Sequence, residues 1–350
     1  LGGFMRYLPL GSSDIRVSEI GLGTMTFGQQ NTPSEAFQQL DFALEQGMNL
    51  IDTAEMYPVP ARAETQGATE RIIGDWLRHQ DRSRIILATK ITGPGRPWHW
   101  IRGGNLQITP EAIRLALTMS LERLQTDYID LYQIHWPDRY VPLFGESYYD
   151  PTQERPTVPI LEQLSALHDW VKAGVIRAIG LSNETPWGVC QFCTLAKQHN
   201  LTNIVSIQNA YHLLNRSFEQ GLAEVCRQEQ VSLIAYSPLA FGILTGKYQQ
   251  GARPPGSRLA LFEGFGRRYL KLNVEEAVQG YSQVAAQAGL TLSELALAFA
   301  RSRWFMTSIL LGATSLEQLR ANLRCLQITL SPETLAAIEA VHQRYPNPTP

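Results

Sequence analysis

Three ionisable side chains stand at the ends of successive apolar runs. Asp52 ends the run 49–52, Lys90 ends the run 85–90, and His135 ends the run 129–135. Strand interiors exclude such groups unless the groups have partners or a function. Barrel enzymes assemble their sites at the ends of successive parallel strands, so we expect these three side chains to meet.

Tyr57 follows Asp52 by five residues and would reach back over the same strand ends. A tyrosine has an ordinary pKa of about 10 and is a weak acid at neutral pH unless a nearby cation favours its phenolate. Lys90 can supply that charge, and Asp52 can hold Lys90 charged and in place. We therefore predict proton transfer at this cluster. The simpler interpretation is a buried Asp–Lys ion pair with Tyr57 packed beside it.

A second series of polar strand ends lies in the other half of the chain, at Ser182-Asn183, Gln208 and Ser237. Side-chain amides and hydroxyls both donate and accept hydrogen bonds, as a bound carboxamide requires. The alternative for Asn183 and Gln208 is that they cap the helices that follow them.

Eight short apolar runs alternate with stretches of helical periodicity, and so supply the elements that would position these residues. The runs cover residues 19–24, 48–52, 85–90, 128–135, 178–182, 204–208, 232–237 and 308–312. Helix starts are marked at Thr32, Thr109 and Thr185, each followed by proline, and helix ends at Gly47 and Gly174. Regular alternation of strands and helices implies right-handed βαβ units. We predict an α/β fold, a closed (β/α)8 TIM barrel.

The opening segment, 6–17, has a Gly11-Ser-Ser-Asp14 turn that predicts a β-hairpin. Long loops are expected after the third, fourth and seventh barrel strands, over 92–107, 137–158 and 240–273. Long loops on this face of a barrel are usually functional. Trp98 and Trp100, together with Tyr148-Tyr149, would form an aromatic lid or simply pack in these loops.

Two glycine-rich segments fail as phosphate loops. Gly21 to Gly28 lacks the spacing of a dinucleotide fingerprint and has no helix start directly behind it. Gly242 to Lys247 is one residue short of a Walker loop, and Tyr248 stands where a Ser or Thr is needed. An open doubly wound sheet is therefore disfavoured.

Composition narrows the class of protein. The 350 residues carry a formal net charge of −2 without dense Lys/Arg blocks, so no nucleic-acid surface is expected. No apolar run is long enough to cross a bilayer. Four cysteines make no disulfide framework, and no signal peptide is read before them, so we expect the cytoplasm. Cys190-Gln-Phe-Cys193 has no partner ligand set, so no metal is expected.

We expect one domain over 5–345, with a terminal helix over 331–342 and a loose tail over 346–350. Residues 1–4 precede the first methionine and are expected to be a cloning remnant.

Three segments resemble the aldo-keto reductases: Asp52-Thr-Ala-Glu-Met-Tyr57, the Thr89-Lys90 strand end, and Gln133-Ile-His-Trp-Pro137. The resemblance extends from Arg6 to about His342. It is closest to the Tas-like branch, with the potassium-channel β-subunits as cousins. It implies that Tyr57 donates a proton to a carbonyl oxygen, that Lys90 and Asp52 tune the Tyr57 pKa, and that His135 orients the carbonyl by a hydrogen bond.

The resemblance also implies NADP(H) as the cofactor. Ser182, Asn183 and Gln208 would hold the nicotinamide amide, and the ring would stack on Tyr236. The cofactor contacts implied in full are Thr24, Ser182, Asn183, Gln208, Tyr236, Ser237, Pro238, Leu239, Gly242, Lys247, Arg258, Gly312, Thr314, Gln318 and Asn322.

Four of these residues, Lys247, Arg258, Thr314 and Gln318, would surround the adenosine 2′-phosphate, which favours NADPH over NADH. Two simpler interpretations compete: 315–318 forms a capping box of its own, and Arg258 is solvated in its loop. Thr314 also stands where some members carry Lys or Arg directly after the Gly-Ala pair.

The implied activity is NADPH-dependent reduction of aldehydes or ketones to alcohols, with a small-molecule carbonyl substrate and without metal, nucleic acid or membrane. One alternative is an NADP(H)-binding redox sensor or regulatory subunit with slow or single turnover. Another is a dehydrogenase that oxidises alcohols. The sequence leaves the substrate and the oligomeric state undetermined.

Overall fold

A computed structural model describes residues 5–350, so the expectation for residues 1–4 lies outside the described part of the chain. Eight parallel strands form a closed barrel: β3 (Ile20–Gly23), β4 (Leu50–Asp52), β5 (Ile86–Ile91), β6 (Ile129–Ile134), β7 (Ile176–Ser182), β8 (Ile204–Ala210), β9 (Ser232–Tyr236) and β10 (Met306–Leu311). Strand β10 pairs with both β3 and β9, which closes the sheet. The predicted (β/α)8 barrel is confirmed.

An antiparallel hairpin precedes the barrel, as predicted. Its strands are β1 (Tyr7–Pro9) and β2 (Arg16–Ser18), with Leu8 opposite Val17. Leu10, Ile15 and Val17 are buried with interior residues of the barrel strands, so the hairpin closes the end of the barrel opposite the predicted site.

Helices cover the outside of the barrel. They are α1 (Pro33–Glu45), α2 (Ala68–Leu77), α3 (Pro110–Leu124), α4 (Ile160–Lys172), α5 (Pro186–His199), α6 (Leu222–Glu229), α7 (Arg258–Leu261), α8 (Val274–Gln287), α9 (Leu292–Ser302), α10 (Leu316–Leu323) and α11 (Pro332–Arg344). Within residues 5–350, none of these helices combines the length and apolar character that a membrane span requires.

The predicted helix boundaries follow from local hydrogen bonding. Thr32 caps α1 in a reciprocal capping box with Glu35, while Thr109 and Thr185 cap α3 and α5. Gly47 and Gly174, each one residue beyond the C-cap of α1 and α4, have φ of 82° and 74°. Glycine takes this left-handed conformation without the steric cost of a Cβ.

Strand alternation places a polar layer on top of an apolar one inside the barrel. The lower layer packs with the hairpin and includes Leu50, Ala88, Leu131, Ala178 and Ile234. Successive side chains of a strand point to opposite faces, so residues two positions further along point inward again. Those residues are Asp52, Lys90, Gln133, Gly180 and Tyr236. The sequence thus fills one end of the barrel with hydrocarbon and the other with hydrogen-bonding groups.

The C-terminal tail is the one element for which the expectation is wrong. Thr349 is fully buried, and both its backbone N–H and its hydroxyl donate to the Leu214 carbonyl, at 3.1 and 3.2 Å. Asn347 accepts a bond from the backbone N–H of Arg216 at 2.6 Å. These polar partners, which a search for apolar periodicity does not register, hold the tail against the segment after β8.

Candidate active site

Asp52 and Lys90 form a buried ion pair at the ends of the adjacent strands β4 and β5. The Lys90 ammonium donates to Asp52 Oδ2 at 2.6 Å and to the Thr53 carbonyl at 2.7 Å. Burial lowers the pKa of Lys90, and the negative charge of Asp52 offsets part of that effect. A buried charge is tolerated only when it is paired and hydrogen-bonded, and both conditions are met here.

Tyr57 lies over this pair. Its ring centroid is 5.0 Å from Lys90 Nζ and 5.7 Å from the His135 ring, with an interplanar angle of 75°. Burial raises the pKa of Tyr57 well above 10, and the charge of Asp52 adds to the shift. The expected lowering of this pKa by Lys90 is therefore wrong for the resting arrangement, because Asp52 neutralises the lysine and burial disfavours the phenolate. The phenol keeps its proton at neutral pH.

His135 completes the cluster from the end of β6. Burial, reinforced by the charge of Lys90, lowers its pKa well below 6.5, so the imidazole is neutral at pH 7. A neutral imidazole has one N–H donor and one acceptor nitrogen. Its Nδ1 is buried without a partner in the described chain. His135 can therefore donate a hydrogen bond to a neutral acceptor without competing as an acid.

Gln133 is a site residue that the sequence did not single out. Its amide nitrogen donates to Asp52 Oδ1 at 3.1 Å, and its oxygen accepts from Gln208 Nε2 at 3.1 Å. Gln208 also donates to Asp52 Oδ1, at 2.8 Å. A Cβ at Gly180 would lie 3.0 Å from Gln133 Cγ, so this glycine makes room for the amide. The sequence offered one signal for Gln133, its position. It precedes His135 by two residues and therefore lies on the inward face of β6.

Asn183 and Tyr236 bring the second series of polar strand ends to the same place. Asn183, with φ of 52°, donates to the His135 carbonyl at 2.9 Å and accepts from the Tyr236 hydroxyl at 2.7 Å. The Ser182 hydroxyl donates to the Gln208 carbonyl at 2.7 Å. The capping alternative is wrong, because Thr185 caps α5 and the Gln208 side chain points into the barrel.

The segment after β9 takes an unusual backbone path. Ser237, Ala240, Phe241 and Gly242 all have positive φ, from 47° to 98°. Such conformations cost free energy in residues with a Cβ and are concentrated at ligand-binding loops. Pro238 and Leu239 lie within this turn, which continues as irregular, kinked turns to Thr245 rather than as a regular helix. Glycine in a left-handed backbone conformation has no Cβ and lets a ligand approach the backbone closely.

Arg258 lies beside this turn. Its guanidinium carbon is 4.4 Å from the centroid of the Phe241 ring, and its Nε donates to Gln30 at 3.4 Å. It forms no ion pair with a carboxylate among residues 5–350. Arg258 is half-buried, which disfavours the freely solvated alternative. Lys247 is exposed, and a Cβ at Gly242 would lie 3.4 Å from its ammonium.

The segment after β10 contains the remaining predicted contacts. The amide and hydroxyl of Thr314 both donate to Gln318 Oε1 at 3.1 Å, and Ser315 caps α10 by accepting from the Gln318 amide at 3.2 Å. Ser315 thus caps α10, but the capping box is incomplete, because the Gln318 side chain accepts from Thr314 and not from the Ser315 backbone N–H. Gly312 follows β10, and Asn322 is half-buried on α10.

Thr24 is buried after β3 and donates to the Asp52 carbonyl at 2.8 Å. Trp98 and Trp100 pack in one apolar cluster with Tyr57 and Trp136. Tyr148 is 87% exposed and takes no part in it. The loop after β5 therefore supplies aromatic rings near Tyr57. The pair Tyr148-Tyr149, in the loop after β6, contributes little to this cluster.

The described cysteines are all unpaired, and no group of three or more metal-ligating side chains occurs within residues 5–350. The site is built instead from one buried ion pair, a protonated phenol, a neutral imidazole and a chain of amides.

Comparison with known proteins places this geometry in a family. The model of the Aldo/keto reductase family matches residues 19–343. The chain belongs to the aldo/keto reductase family. Membership indicates an oxidoreductase that acts on carbonyl compounds, and the family generally binds nicotinamide cofactors.

The relatives cover nearly the whole chain. Protein tas of Escherichia coli (strain K12) is 50% identical over 347 residues, which is 99% of this chain and all of the relative. The NADH-specific methylglyoxal reductase of the same strain is 32% identical and covers 93% of the chain and 95% of itself. A probable voltage-gated potassium channel subunit beta of Oryza sativa subsp. japonica is 30% identical, with 99% of both chains covered. The predicted resemblance to this family, its Tas-like branch and the channel subunits is confirmed.

Proposed function

We propose that the protein is an NADPH-dependent reductase of aldehydes and ketones. The observation that carries the proposal is the Asp52–Lys90 pair at 2.6 Å beneath a Tyr57 ring that also contacts neutral His135. The cofactor, when bound, supplies the hydride that adds to the carbonyl carbon. The protein must then protonate the carbonyl oxygen, and it must exclude water while doing so.

Tyr57 donates that proton. Its raised pKa keeps the phenol protonated before reaction, and the N–H of neutral His135 holds the carbonyl oxygen in place. When the proton leaves, the phenolate forms on a ring whose centroid is 5.0 Å from the Lys90 ammonium, and this positive charge stabilises the new negative charge. Hydride on carbon and proton on oxygen together give the alcohol.

The residues present fit a nicotinamide dinucleotide. Asn183 and Gln208 offer amide donors and acceptors, and Tyr236 offers a half-buried ring beside them. In the turn at 237–242 the N–H groups of Ala240 and Gly242 donate to backbone carbonyls, and those of Leu239 and Phe241 remain for phosphates. Arg258, without a carboxylate partner, supports a 2′-phosphate and hence NADPH. A relative named as NADH-specific makes this preference a point to measure, by comparing kcat/KM for NADPH and NADH.

Turnover with an aldehyde in large excess tests the proposal. The enzyme, at about one thousandth of the NADPH concentration, should oxidise all of the NADPH and form alcohol in equal amount. Oxidation of only one equivalent per protein would instead favour a redox sensor, the second candidate, which the channel-subunit relative supports. The same assay with alcohol and NADP⁺ measures the reverse reaction.

We also propose that the partner of the protein, besides the cofactor, is a small-molecule carbonyl substrate, and that the protein is located in the cytoplasm. The four unpaired cysteines support a reducing compartment. Cell fractionation followed by immunodetection tests the location.

A further inference from the structure

Arg268, in the long loop between β9 and α8, has no carboxylate partner within residues 5–350, a property that it shares with Arg258 at the same face. Lys90 is paired with Asp52, Arg102 with Glu55, and Arg139 with Glu184. Arg268 is largely buried, and the ionisable groups near it within the described residues are Tyr236, Tyr269 and His212, none of which is a carboxylate. Its Nε–H has no hydrogen-bond acceptor there. Burial of a guanidinium without a counter-charge costs free energy. A bound anion would offset this cost.

A second unpartnered donor lies near it, since the Tyr269 ring centroid is 5.2 Å from the Arg268 guanidinium carbon and 6.0 Å from the centroid of the His212 ring. His212, fully buried just after β8, accepts a bond from the Leu214 backbone N–H on Nδ1 at 3.2 Å. The ring is neutral, because burial and the charge of Arg268 lower its pKa well below 6.5. Its one proton is therefore assigned to Nε2, which is buried without a partner in the described chain. Arg268 and His212 thus present two N–H donors and no acceptor.

The position of these donors relates them to the reacting groups. The Arg268 guanidinium lies beside the hydroxyl of Tyr236, the ring proposed to support the nicotinamide. The loop is fixed from two sides. Tyr269 stacks on Phe241 at 5.4 Å, and Lys271 donates to the carbonyl of Gly145 in the loop after β6. Arg268 is therefore held over the catalytic face where two long loops meet.

We propose that Arg268 and His212 bind the carboxylate of an anionic carbonyl substrate. The inference rests on the proposed reductase function and specifies its substrate class. Arginine binds a carboxylate by charge-assisted hydrogen bonds. The N–H of neutral His212 would donate a further hydrogen bond to the same carboxylate. An aldehyde or ketone that carries a carboxylate would be held by that group while its carbonyl meets Tyr57 and His135. Phosphate oxygens of the cofactor share this chemistry and are the alternative source of the anion.

A matched pair of substrates tests the proposal: 4-carboxybenzaldehyde and its methyl ester, methyl 4-formylbenzoate. The wild-type enzyme should prefer the carboxylate by about 10- to 100-fold in kcat/KM. Arg268→Met should remove that preference and leave the ester within about twofold, and Arg268→Lys should restore part of it. Arg267→Met, which changes the exposed neighbour, is the control and should leave both substrates unchanged.

The cofactor is tested separately, by the dissociation constant of NADPH from fluorescence titration. The proposal expects the same value for wild type and Arg268→Met. Weaker NADPH binding by Arg268→Met, with an equal loss for both aldehydes, would assign the anion to the cofactor and overturn the proposal. An absence of any preference in the wild type would also overturn it.

Calorimetric titration with 4-carboxybenzaldehyde separates this site from the reductase function. If the wild type turned over neither aldehyde, the proposed function would fail. Binding that is lost in Arg268→Met and kept in Arg267→Met would still uphold the anion site, whereas equal binding by all three proteins would refute it. Circular dichroism of each variant checks that the fold is intact.

Discussion

The strand ends of β4 to β6 and those of β7 to β10 differ in the partners of their polar side chains. In the first region Lys90 and Asp52 satisfy each other, and Tyr57 and His135 pack over them. In the second region Asn183 and Gln208 bond to groups of the first, the His135 carbonyl and the Asp52 carboxylate. The region proposed for proton transfer is thus preorganised. The region proposed for the cofactor must exchange partners when it binds a carboxamide.

The amide chain connects the two regions. Asp52 Oδ1 accepts from both Gln133 and Gln208, while Asp52 Oδ2 accepts from Lys90. Reorientation of Gln208 toward a cofactor would leave Gln133 as the remaining amide donor to Asp52. We infer that Gln133 keeps the carboxylate aligned on Lys90 while Gln208 is engaged elsewhere.

The largest effect on turnover is expected from Tyr57→Phe. Removal of the phenol deletes the proposed proton donor, so kcat should fall by about 10²- to 10⁴-fold. The phenyl ring keeps the packing against Lys90 and His135, so the fold should be unaffected. Steady-state NADPH oxidation with an aldehyde measures the loss. Tyr149→Phe, which removes an exposed hydroxyl bonded to Glu154, is the matched control and should retain activity.

Lys90→Met should show how much the buried ion pair with Asp52 contributes to the stability of the fold. Asp52 would remain buried without its counter-charge, which should lower the free energy of unfolding by about 3–5 kcal/mol. Lys197→Met breaks a pair of the same length, 2.6 Å, at an exposed site where solvent screens the charges, and should have a much smaller effect. Urea denaturation compares the two. Equal losses would contradict the special status of the buried pair.

Arg258→Met should act on the second region alone. Loss of a charge-assisted contact with the 2′-phosphate should weaken NADPH binding by about 10- to 100-fold, with NADH binding unchanged. Fluorescence titration with both coenzymes provides the measurement, and Arg253→Met, an exposed cation of the same loop, serves as control. A parallel loss for NADH would show that Arg258 does not recognise the 2′-phosphate.

The smallest effect, when counted per pH unit and per residue, is expected in the dependence of stability on pH. Burial lowers the pKa of His135 and His212 well below 6.5 in the folded chain, whereas the unfolded chain titrates near the ordinary value. The unfolded state therefore binds more protons below about pH 6.5. The stabilisation is complete above this pH and is lost as the pH falls, by about 1.4 kcal/mol per unit for each histidine. Denaturation midpoints between pH 7.5 and 5 test the slope, which His212→Asn should reduce.

The barrel and the meeting of Asp52, Lys90 and His135 were predictable because both follow from local patterns. Apolar runs of strand length alternate with capped helices, and a polar residue at a strand end has its place fixed by the closure of the sheet. Tyr57 was predictable from its spacing and the family resemblance. Its raised pKa was not, because that depends on burial and on the neutralisation of Lys90 by Asp52.

Gln133, Arg268 and Thr349 escaped prediction for different reasons. Gln133 lies inside an apolar run, and only the direction of its side chain shows that it faces Asp52. Arg268 belongs to a loop whose path is set by contacts with Phe241 and Gly145, far away in sequence. Thr349 docks through its backbone N–H and its hydroxyl onto the Leu214 carbonyl, a polar contact that apolar periodicity does not register.

The central claim is that the strand ends of β4 to β6 carry out proton transfer and that those of β7 to β10 bind the cofactor. Single-turnover kinetics that separate NADPH binding from hydride transfer test this claim most directly. Wild type, Tyr57→Phe and Arg258→Met would each be mixed with NADPH and an aldehyde in a stopped-flow fluorimeter. We expect Tyr57→Phe to bind NADPH normally and to lose the transfer step, and Arg258→Met to bind weakly but transfer at the wild-type rate once saturated. Slow transfer in saturated Arg258→Met, or normal transfer in Tyr57→Phe, would contradict the account.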